Sequence, residues 1–209
     1  MKKIIIIGAG GHAKVLIDAL LADKKHVYAL TDADNSLKGS KVFGIPVIGT
    51  DEKILSYDKN DVLLVNGLGS THDTSLRKNI YNYWIAKAYH FKTVIHPSAS
   101  ISSLASLASG VQVLANAVIN AGANISENCI VNSAAVIEHD CQISKHVHIA
   151  PNATVLGNVK IGAKSHIGAG ATILQNLTVG EHCLVGAGAV VVKSVATGQK
   201  ALGVPARSS

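Results

Sequence analysis

Rings and charges are both scarce in this 209-residue chain: aromatic residues make up 4% and charged residues 15%, with one tryptophan and two phenylalanines. Ile, Val and Leu must therefore fill the interior. There are four prolines and three cysteines. An odd number of cysteines with no CxxC spacing argues against a disulfide framework, and leaves free thiols acting as small apolar fillers. Long hydrophobic runs are missing too. None is longer than Ile4 to Ile7, far short of the ~20 residues that span a bilayer, so no membrane span is expected. Met1-Lys2-Lys3 followed by that run imitates a secretory leader, but Gly8-Ala9-Gly10-Gly11-His12 breaks it before an apolar segment of ~7–15 residues is complete. The expected location is cytoplasmic. The net charge of +6 divides evenly between the two halves rather than gathering into a basic run interleaved with aromatics. It suits polyanionic small molecules and does not point to nucleic acid.

Against these absences stands one regularity. From Ile95 to Val191 an Ile, Leu or Val recurs at every sixth position, seventeen times without a slip. Four residues after each comes a small or modest side chain, as in Ala117, Ala123, Cys129 and Ala135. A period of six belongs to neither a helix nor a simple strand; it is the mark of a parallel β-helix, three hexads to a triangular coil. The aliphatic residue is expected to point inward and the small residue to fit the tight corner, where all three cysteines then fall. Seventeen hexads make five to six coils, a prism roughly 25 Å long at ~4.8 Å per coil. The hexapeptide period is associated with a left-handed winding. Outside, the prism is poor in charge, with Ala, Asn, Ser and Val in place of Lys and Glu. Such faces suggest burial against further copies, as in a homotrimer about an axis parallel to the prism.

The first 90 residues read differently. Lys2 to Ile7 is an unbroken aliphatic strand of the parallel-sheet kind. A glycine turn, Gly8 to Ala13, then opens a helix running to about Ala22. Strands are expected at His26 to Leu30, Phe43 to Ile48 and Val62 to Val65, and a helix carrying Arg77 from Thr71 to Tyr89. This is a βαβ, Rossmann-like half domain. Backbone N–H groups at a helix N-terminus behind small residues favour an anion. Gly8-x-Gly10-x-x-Ala13 also fits the dinucleotide fingerprint, with Asp32 at a suitable distance for a ribose hydroxyl. Ninety residues suffice for one mononucleotide half only, which argues against a nicotinamide cofactor. Val65-Asn66-Gly67-Leu68-Gly69-Ser70 is a second strand-end glycine turn, either a plain loop or part of the same crevice. The expected organisation is a nucleotide-binding α/β domain over residues 1–90 and an all-β prism with a C-terminal tail over 91–209.

Ten histidines are many for this length. His148 and His166 lie eighteen residues apart and should stack on one face; His146, Lys164 and His182 form a second column. Such columns either bind a metal or make surface and inter-subunit hydrogen bonds. Glu138-His139-Asp140 concentrates polar groups in a stretch otherwise short of charge. A histidine with a carboxylate partner is a natural general base near neutral pH. One coil further on, Gly157 lies over His139, where its backbone N–H and lack of a side chain suit an oxyanion. A solvated corner histidine is the alternative.

With these residues in view the chain resembles the bacterial hexapeptide-repeat sugar acyltransferases of the PglD/NeuD type over nearly its whole length. The resemblance rests on IIIIGAGGHAKV at the start, Ile95-His96-Pro97-Ser98-Ala99, NSAAVIEHDC (Asn132 to Cys141), GNVKIGA (Gly157 to Ala163) and GVPAR (Gly203 to Arg207). It implies acetyl transfer from acetyl-CoA, with no metal, to the amine of a nucleotide-linked amino sugar in glycan biosynthesis. By the same likeness His139 is the base and Asp140, where many members carry Glu, its support. Gly10, Gly11 and His12 match the turn that holds the nucleotide sugar; Thr31 and Asp32 match an acidic pair, and Gly69 a further contact. His148, Ala169 and Ala187 fall where members touch acetyl-CoA, and Arg207 is placed for a CoA phosphate. Three other functions remain open from sequence: O-acetylation of a sialic-acid-like sugar, a zinc-dependent β-helix hydratase, and a non-enzymatic nucleotide-sugar sensor.

Overall fold

The computed structural model describes residues 2–71 and 73–209. Strand β1 (Lys3–Ile7) is central in a three-stranded parallel sheet, flanked by β2 (Val27–Thr31) and β5 (Val62–Asn66). The aliphatic run of β1 is needed because both faces are covered. Ile4 and Ile6 pack with Leu16, Ile17 and Leu20 of helix α1 (Gly11–Ala22), while Ile5 and Ile7 pack with Tyr81 and Trp84 of helix α2 (Ser75–Ala86). Alternation with a period of two thus splits one strand between two cores.

Phe43 to Ile48 is not the expected single strand. Lys41–Val42 (β3) and Ile45–Pro46 (β4) form a two-stranded antiparallel hairpin, and only Val47 bridges to Leu30 of the main sheet. Phe43 and Gly44 both take positive φ, 48° and 81°, the combination a two-residue hairpin turn requires. Apolar content suggested a strand, and the turn chemistry overrode it. The expected helix from Thr71 to Tyr89 is shorter at both ends; His72 lies outside the described residues. Ala88 adopts φ 62° and the N–H groups of Lys87 and Tyr89 return to Trp84 O, which closes α2.

From Val94 onward seventeen two-residue strands, each holding one of the periodic aliphatics, stack in parallel register at intervals of eighteen residues. They form three sheets around a single core, a β-solenoid of about six turns. The closing strands Lys200–Leu202 and Arg207–Ser208 add to one sheet, the last antiparallel, and so finish the exposed edge of the column.

The corners depart from expectation in an instructive way. The small residues, Ala117, Ala123, Cys129, Ala135 and Cys141 among them, point into the core beside the aliphatics. The turn itself is made by the residue just before. From Gly110 to Gly188 every sixth residue has positive φ, including Asn116, Asn128, Asp140, His146, Asn152, Asn158 and Lys164. Asn, Asp and Gly tolerate this left-handed region best, which accounts for their frequency at these positions. The three thiols are buried, and Cys129, Cys141 and Cys183 each donate to a carbonyl in the next coil at 3.0, 3.1 and 3.0 Å.

The three faces of the column differ outside. One presents Gln112, Ile130, His148 and His166, all buried, with Gln112 and His148 bonded to His12 and Ser70 of the α/β domain. A second carries Asn124, Gln142, Lys160 and Thr178, all exposed. The third shows Val118, Val136, Thr154, Thr172 and Val190, uncharged and half-buried. No helix among the described residues is long and apolar enough to cross a membrane.

Candidate active site

His139 stands on the corner between the apolar and polar faces. Its Nδ1 lies 2.9 Å from Asp140 Oδ2, and both side chains are largely exposed, at 63% and 65%. The backbone around the pair is cut to make room. A Cβ on Gly157 would come within 2.5 Å of His139 Nε2 and 2.6 Å of Cε1, and one on Gly122 would collide with Asp140 Oδ1. The imidazole therefore lies directly over Gly157, one coil away, as the eighteen-residue arithmetic predicts. Asp140 occupies a left-handed corner (φ 61°), a position where its type is tolerated. Asn158 N–H donates to His139 O at 2.9 Å and fixes the backbone beneath the ring.

The opposite edge of the apolar face holds two adjoining recesses. The first, about 550 Å³, is lined by Gly11, His12, Gly69, Ser70, Asn132 and His148. The second, about 510 Å³, continues up the column along Ala150, Pro151, Gly168, Ala169, Gly186 and Ala187, with His166 in its wall. Ser70, Thr71, Asn132 and His148 belong to both and mark the junction.

A continuous network positions these groups across the two parts of the chain. His12 Nε2 meets Gln112 Oε1 at 2.8 Å, and Gln112 Nε2 donates to Asn66 O at 2.8 Å. Arg77, buried to 2% exposure, donates through Nη1 to Asn66 O and Leu68 O at 2.9 and 2.7 Å, and its Nε reaches Asn128 O at 3.4 Å. One guanidinium thus ties the second glycine turn to the prism. Burial without an acidic partner pushes Arg77 down to about 9. Burial, followed by the nearby Arg77 charge, pushes His12 down to about 4. For His148 burial again dominates, reinforced by His166, His12 and Arg77, and the ring falls to about 3. Both imidazoles are neutral near pH 7.

The expected site residues therefore do not come together at one place within the chain. Gly11, His12 and Gly69 share a recess with His148, and His148, Ala169 and Ala187 share the neighbouring trough. Gly10 caps α1 at its exposed N-terminus. Asp32 is partly committed, accepting from Ala9 N–H at 2.7 Å and Asp34 N–H at 2.9 Å. Thr31 is fully buried and donates to Asp51 Oδ1 at 2.7 Å, and it lines neither recess. Arg207 lies with Lys193 and Ala206 in a separate recess of about 470 Å³ at the end of the column. His139, Asp140 and Gly157 lie across the apolar face from both recesses. Of the histidine columns, His148 and His166 stack as expected, rings 4.9 Å apart, and Lys164 Nζ reaches His182 Nε2 at 3.0 Å. His146, however, is buried against Tyr81 and bonded to Asn128 Nδ2. Both nitrogens of His148 are engaged, by Ser70 and Asn132, which leaves it no lone pair for a metal. Asn132, Ser70 and Gln112 were not expected. Asn132 was within reach of register arithmetic, since it lies eighteen residues before Ala150; Ser70 and Gln112 act only through contacts between distant segments.

A parallel α/β half domain joined to a hexapeptide solenoid, with a histidine–carboxylate pair at one corner and a small-residue trough at another, defines the hexapeptide acyltransferase class. Known proteins narrow it. The PglD N-terminal domain family matches residues 3–84, and the bacterial transferase hexapeptide (six repeats) family matches residues 158–193. The crystal structure of a perosamine N-acetyltransferase mutant from Caulobacter crescentus, with CoA and GDP-perosamine, is 33% identical. It superposes with a TM-score of 0.93, covering 100% of this chain and 97% of that one. The acetyltransferase domain of PglB from Neisseria gonorrhoeae FA1090, in complex with acetyl coenzyme A, is 34% identical with a TM-score of 0.90, over 100% and 99% of the two chains. UDP-N-acetylbacillosamine N-acetyltransferase from Bacillus subtilis (strain 168) is 36% identical over 119 residues, 55% of this chain and 52%, about half, of that protein's length. The chain belongs to the PglD/NeuD-type family of hexapeptide-repeat sugar acyltransferases.

Proposed function

We propose that the protein is an acetyl-CoA-dependent N-acetyltransferase acting on the amine of a nucleotide-linked amino sugar, and that it works as a homotrimer with each active site shared by two copies. The observation carrying this reading is the separation within one chain of the His139 corner from the two recesses. Pro151 and Gly157 mark the two edges of the apolar face, six residues apart, a width of up to ~20 Å at ~3.3 Å per residue. A general base must approach its proton to ~3 Å. A neighbouring copy packed on the uncharged face of Val118, Val136 and Val190 brings its own His139 to the junction at Ser70, Asn132 and His148. It also covers a His–Asp pair that one copy leaves exposed.

The recess beside Gly11, His12 and Gly69 receives the sugar, with the diphosphate over the N-terminus of α1. The trough of Ala150, Gly168, Ala169, Gly186 and Ala187 fits a pantetheine arm: its walls are small, and a Cβ on Gly168 would fall 2.5 Å from Ala187 N, so the backbone is already as close as it can be. The sugar nitrogen attacks the thioester carbonyl carbon, the C–S bond breaks, and CoA leaves as a thiolate. His139 takes the amine proton and returns it to the leaving sulfur, while Asp140 stabilises the imidazolium. The Gly157 N–H donates to the carbonyl oxygen as charge develops there. No cysteine takes part, since Cys129, Cys141 and Cys183 face the core and burial pushes the Cys129 thiol up to about 12. The relatives' substrates support an amine acceptor, and they carry both GDP and UDP, so the nucleotide is left unassigned. The test is His139→Ala assayed by CoA thiol release with a panel of nucleotide amino sugars and sialic acids. A loss of ~10²–10⁴-fold in kcat supports the base assignment, and turnover within a few-fold of wild type rejects it. Turnover of sialic acids alone rejects the amine acceptor.

A further inference from the structure

Two histidines at the junction are each locked in one tautomer by a side-chain amide that is itself fixed by the backbone. Asn132 Oδ1 accepts from Ser133 N–H at 2.8 Å, so its Nδ2 must be the atom 3.0 Å from His148 Nε2. His148 Nε2 therefore accepts, its proton sits on Nδ1, and Nδ1–H donates to Ser70 Oγ at 2.8 Å. Ser70 Oγ, accepting from that N–H, keeps its own hydroxyl proton to donate, and Ser70 lines both recesses. On the other side, Gln112 Nε2 is held by Asn66 O, so Gln112 Oε1 accepts from His12 Nε2–H. His12 Nδ1 then carries a lone pair near the Gly69–Ser70 turn; a Cβ on Gly69 would lie 3.8 Å from it. His12 and Ser70 line the same recess, one with an acceptor and the other with a donor of fixed sense.

We propose that Ser70 is a specificity-determining residue for the acceptor sugar, donating its hydroxyl proton to a sugar oxygen while His12 Nδ1 accepts from a neighbouring hydroxyl or amine. The pair reads a sugar that offers an acceptor next to a donor. It discriminates against a deoxy analogue at either position, because the unmatched group would be left without a partner. This rests on the amino-sugar acceptor proposed above. Ser70 is held by the prism through His148 and by the α/β domain through its own chain, so the contact also depends on both parts being in register.

The experiment compares full-length wild type with Ser70→Ala and Ser70→Thr. Thiol release is measured while the nucleotide sugar and acetyl-CoA are varied separately. Loss of one neutral hydrogen bond corresponds to roughly 2–12-fold. Ser70→Ala is expected to raise KM for the nucleotide sugar in that range with KM for acetyl-CoA within twofold, and Ser70→Thr, which keeps the hydroxyl, to restore it. An unchanged sugar KM, or an increase confined to acetyl-CoA, overturns the assignment. A second reading needs no turnover: in ¹⁵N-histidine-labelled protein, His148 (identified by its loss in His148→Gln) should show Nδ1–H and His12 should show Nε2–H. The opposite tautomer in either ring overturns the lock. A wild type that turns over no nucleotide sugar refutes the function proposed above, whereas the tautomers still decide the lock on its own.

Discussion

Gly157→Ala adds one methyl group, and its effect follows from the geometry beneath His139. The new Cβ would lie 2.5 Å from Nε2, 2.6 Å from Cε1 and 3.1 Å from Cδ2. Ordinary contact begins near 3.4 Å, so the ring must retreat by about 1 Å, and in doing so it loses the bond from Nδ1 to Asp140. The ring is 63% exposed and free to swing outward, so folding should hardly be affected, within about 0.5 kcal/mol. Catalysis has no such latitude: displacement of a reacting group by 1 Å costs on the order of 10²-fold. Gly168→Ala is the contrast, because its Cβ would strike Ala187 N at 2.5 Å and Gly186 C at 2.7 Å, backbone that cannot swing away. Overpacking of this kind costs about 1–3 kcal/mol, a fall in Tm of roughly 2–4 °C for each kcal/mol in a chain of this size. Thermal unfolding and thiol release on the two variants separate the cases. If Gly157→Ala keeps kcat/KM within threefold, or loses as much Tm as Gly168→Ala, the placement of His139 over Gly157 as a reacting pair is wrong.

Asp140→Asn should leave Tm unchanged, since asparagine accepts φ 61° as readily, yet lower kcat by about tenfold through loss of the charge beside the imidazolium; an unchanged kcat would remove Asp140 from the mechanism. Thr31→Val should lower stability by about 1–2 kcal/mol through the lost bond to Asp51, seen in urea unfolding, with KM for the nucleotide sugar unaltered; a raised KM would return Thr31 to the ligand site. His12, His146 and His148 are pushed by burial from 6.5 to about 4, 4 and 3. The unfolded chain takes up protons below about 6.5 that the folded chain refuses until about 4, so stability is complete above 6.5 and is lost as the pH falls. Three groups give a slope of about 4 kcal/mol per pH unit in that window, and denaturant unfolding at pH 7, 6 and 5 that shows less than one proton's worth of slope would contradict the burial of these rings.

The solenoid was legible because its signal is additive: seventeen aliphatics in register leave one way to bury them. The placement of Gly157 over His139 follows from the same count. What the count misplaced was the corner, since period alone does not say which of two adjacent positions turns the chain; the alternating demand for small volume and for left-handed φ falls on neighbours such as Cys129 and Asn128. The α/β half was readable in its aliphatic strands and glycine turns, and failed at Phe43, where an aromatic sits at a hairpin tip. The burial of Thr31 and its bond to Asp51 were not readable, because a hydroxyl beside an acid at a strand end looks the same in sequence whichever way it faces. The contacts of Ser70, Gln112 and Arg77 with the prism and the glycine turn gave no local signal, for these partners lie 78, 46 and 51 residues away.

The left-handed residue at every sixth position also governs how such a chain can change in length. Gaining or losing a single residue would put a β-branched or bulky side chain at a pivot it cannot adopt, and would turn every later aliphatic outward. Whole hexads repair the pivots but rotate all later coils onto another face, carrying the trough away from the junction. Only additions of eighteen restore everything, so the column can grow in steps of one coil, ~4.8 Å at a time. A family built this way can lengthen its reach toward a cosubstrate's far end without disturbing the chemistry several coils below.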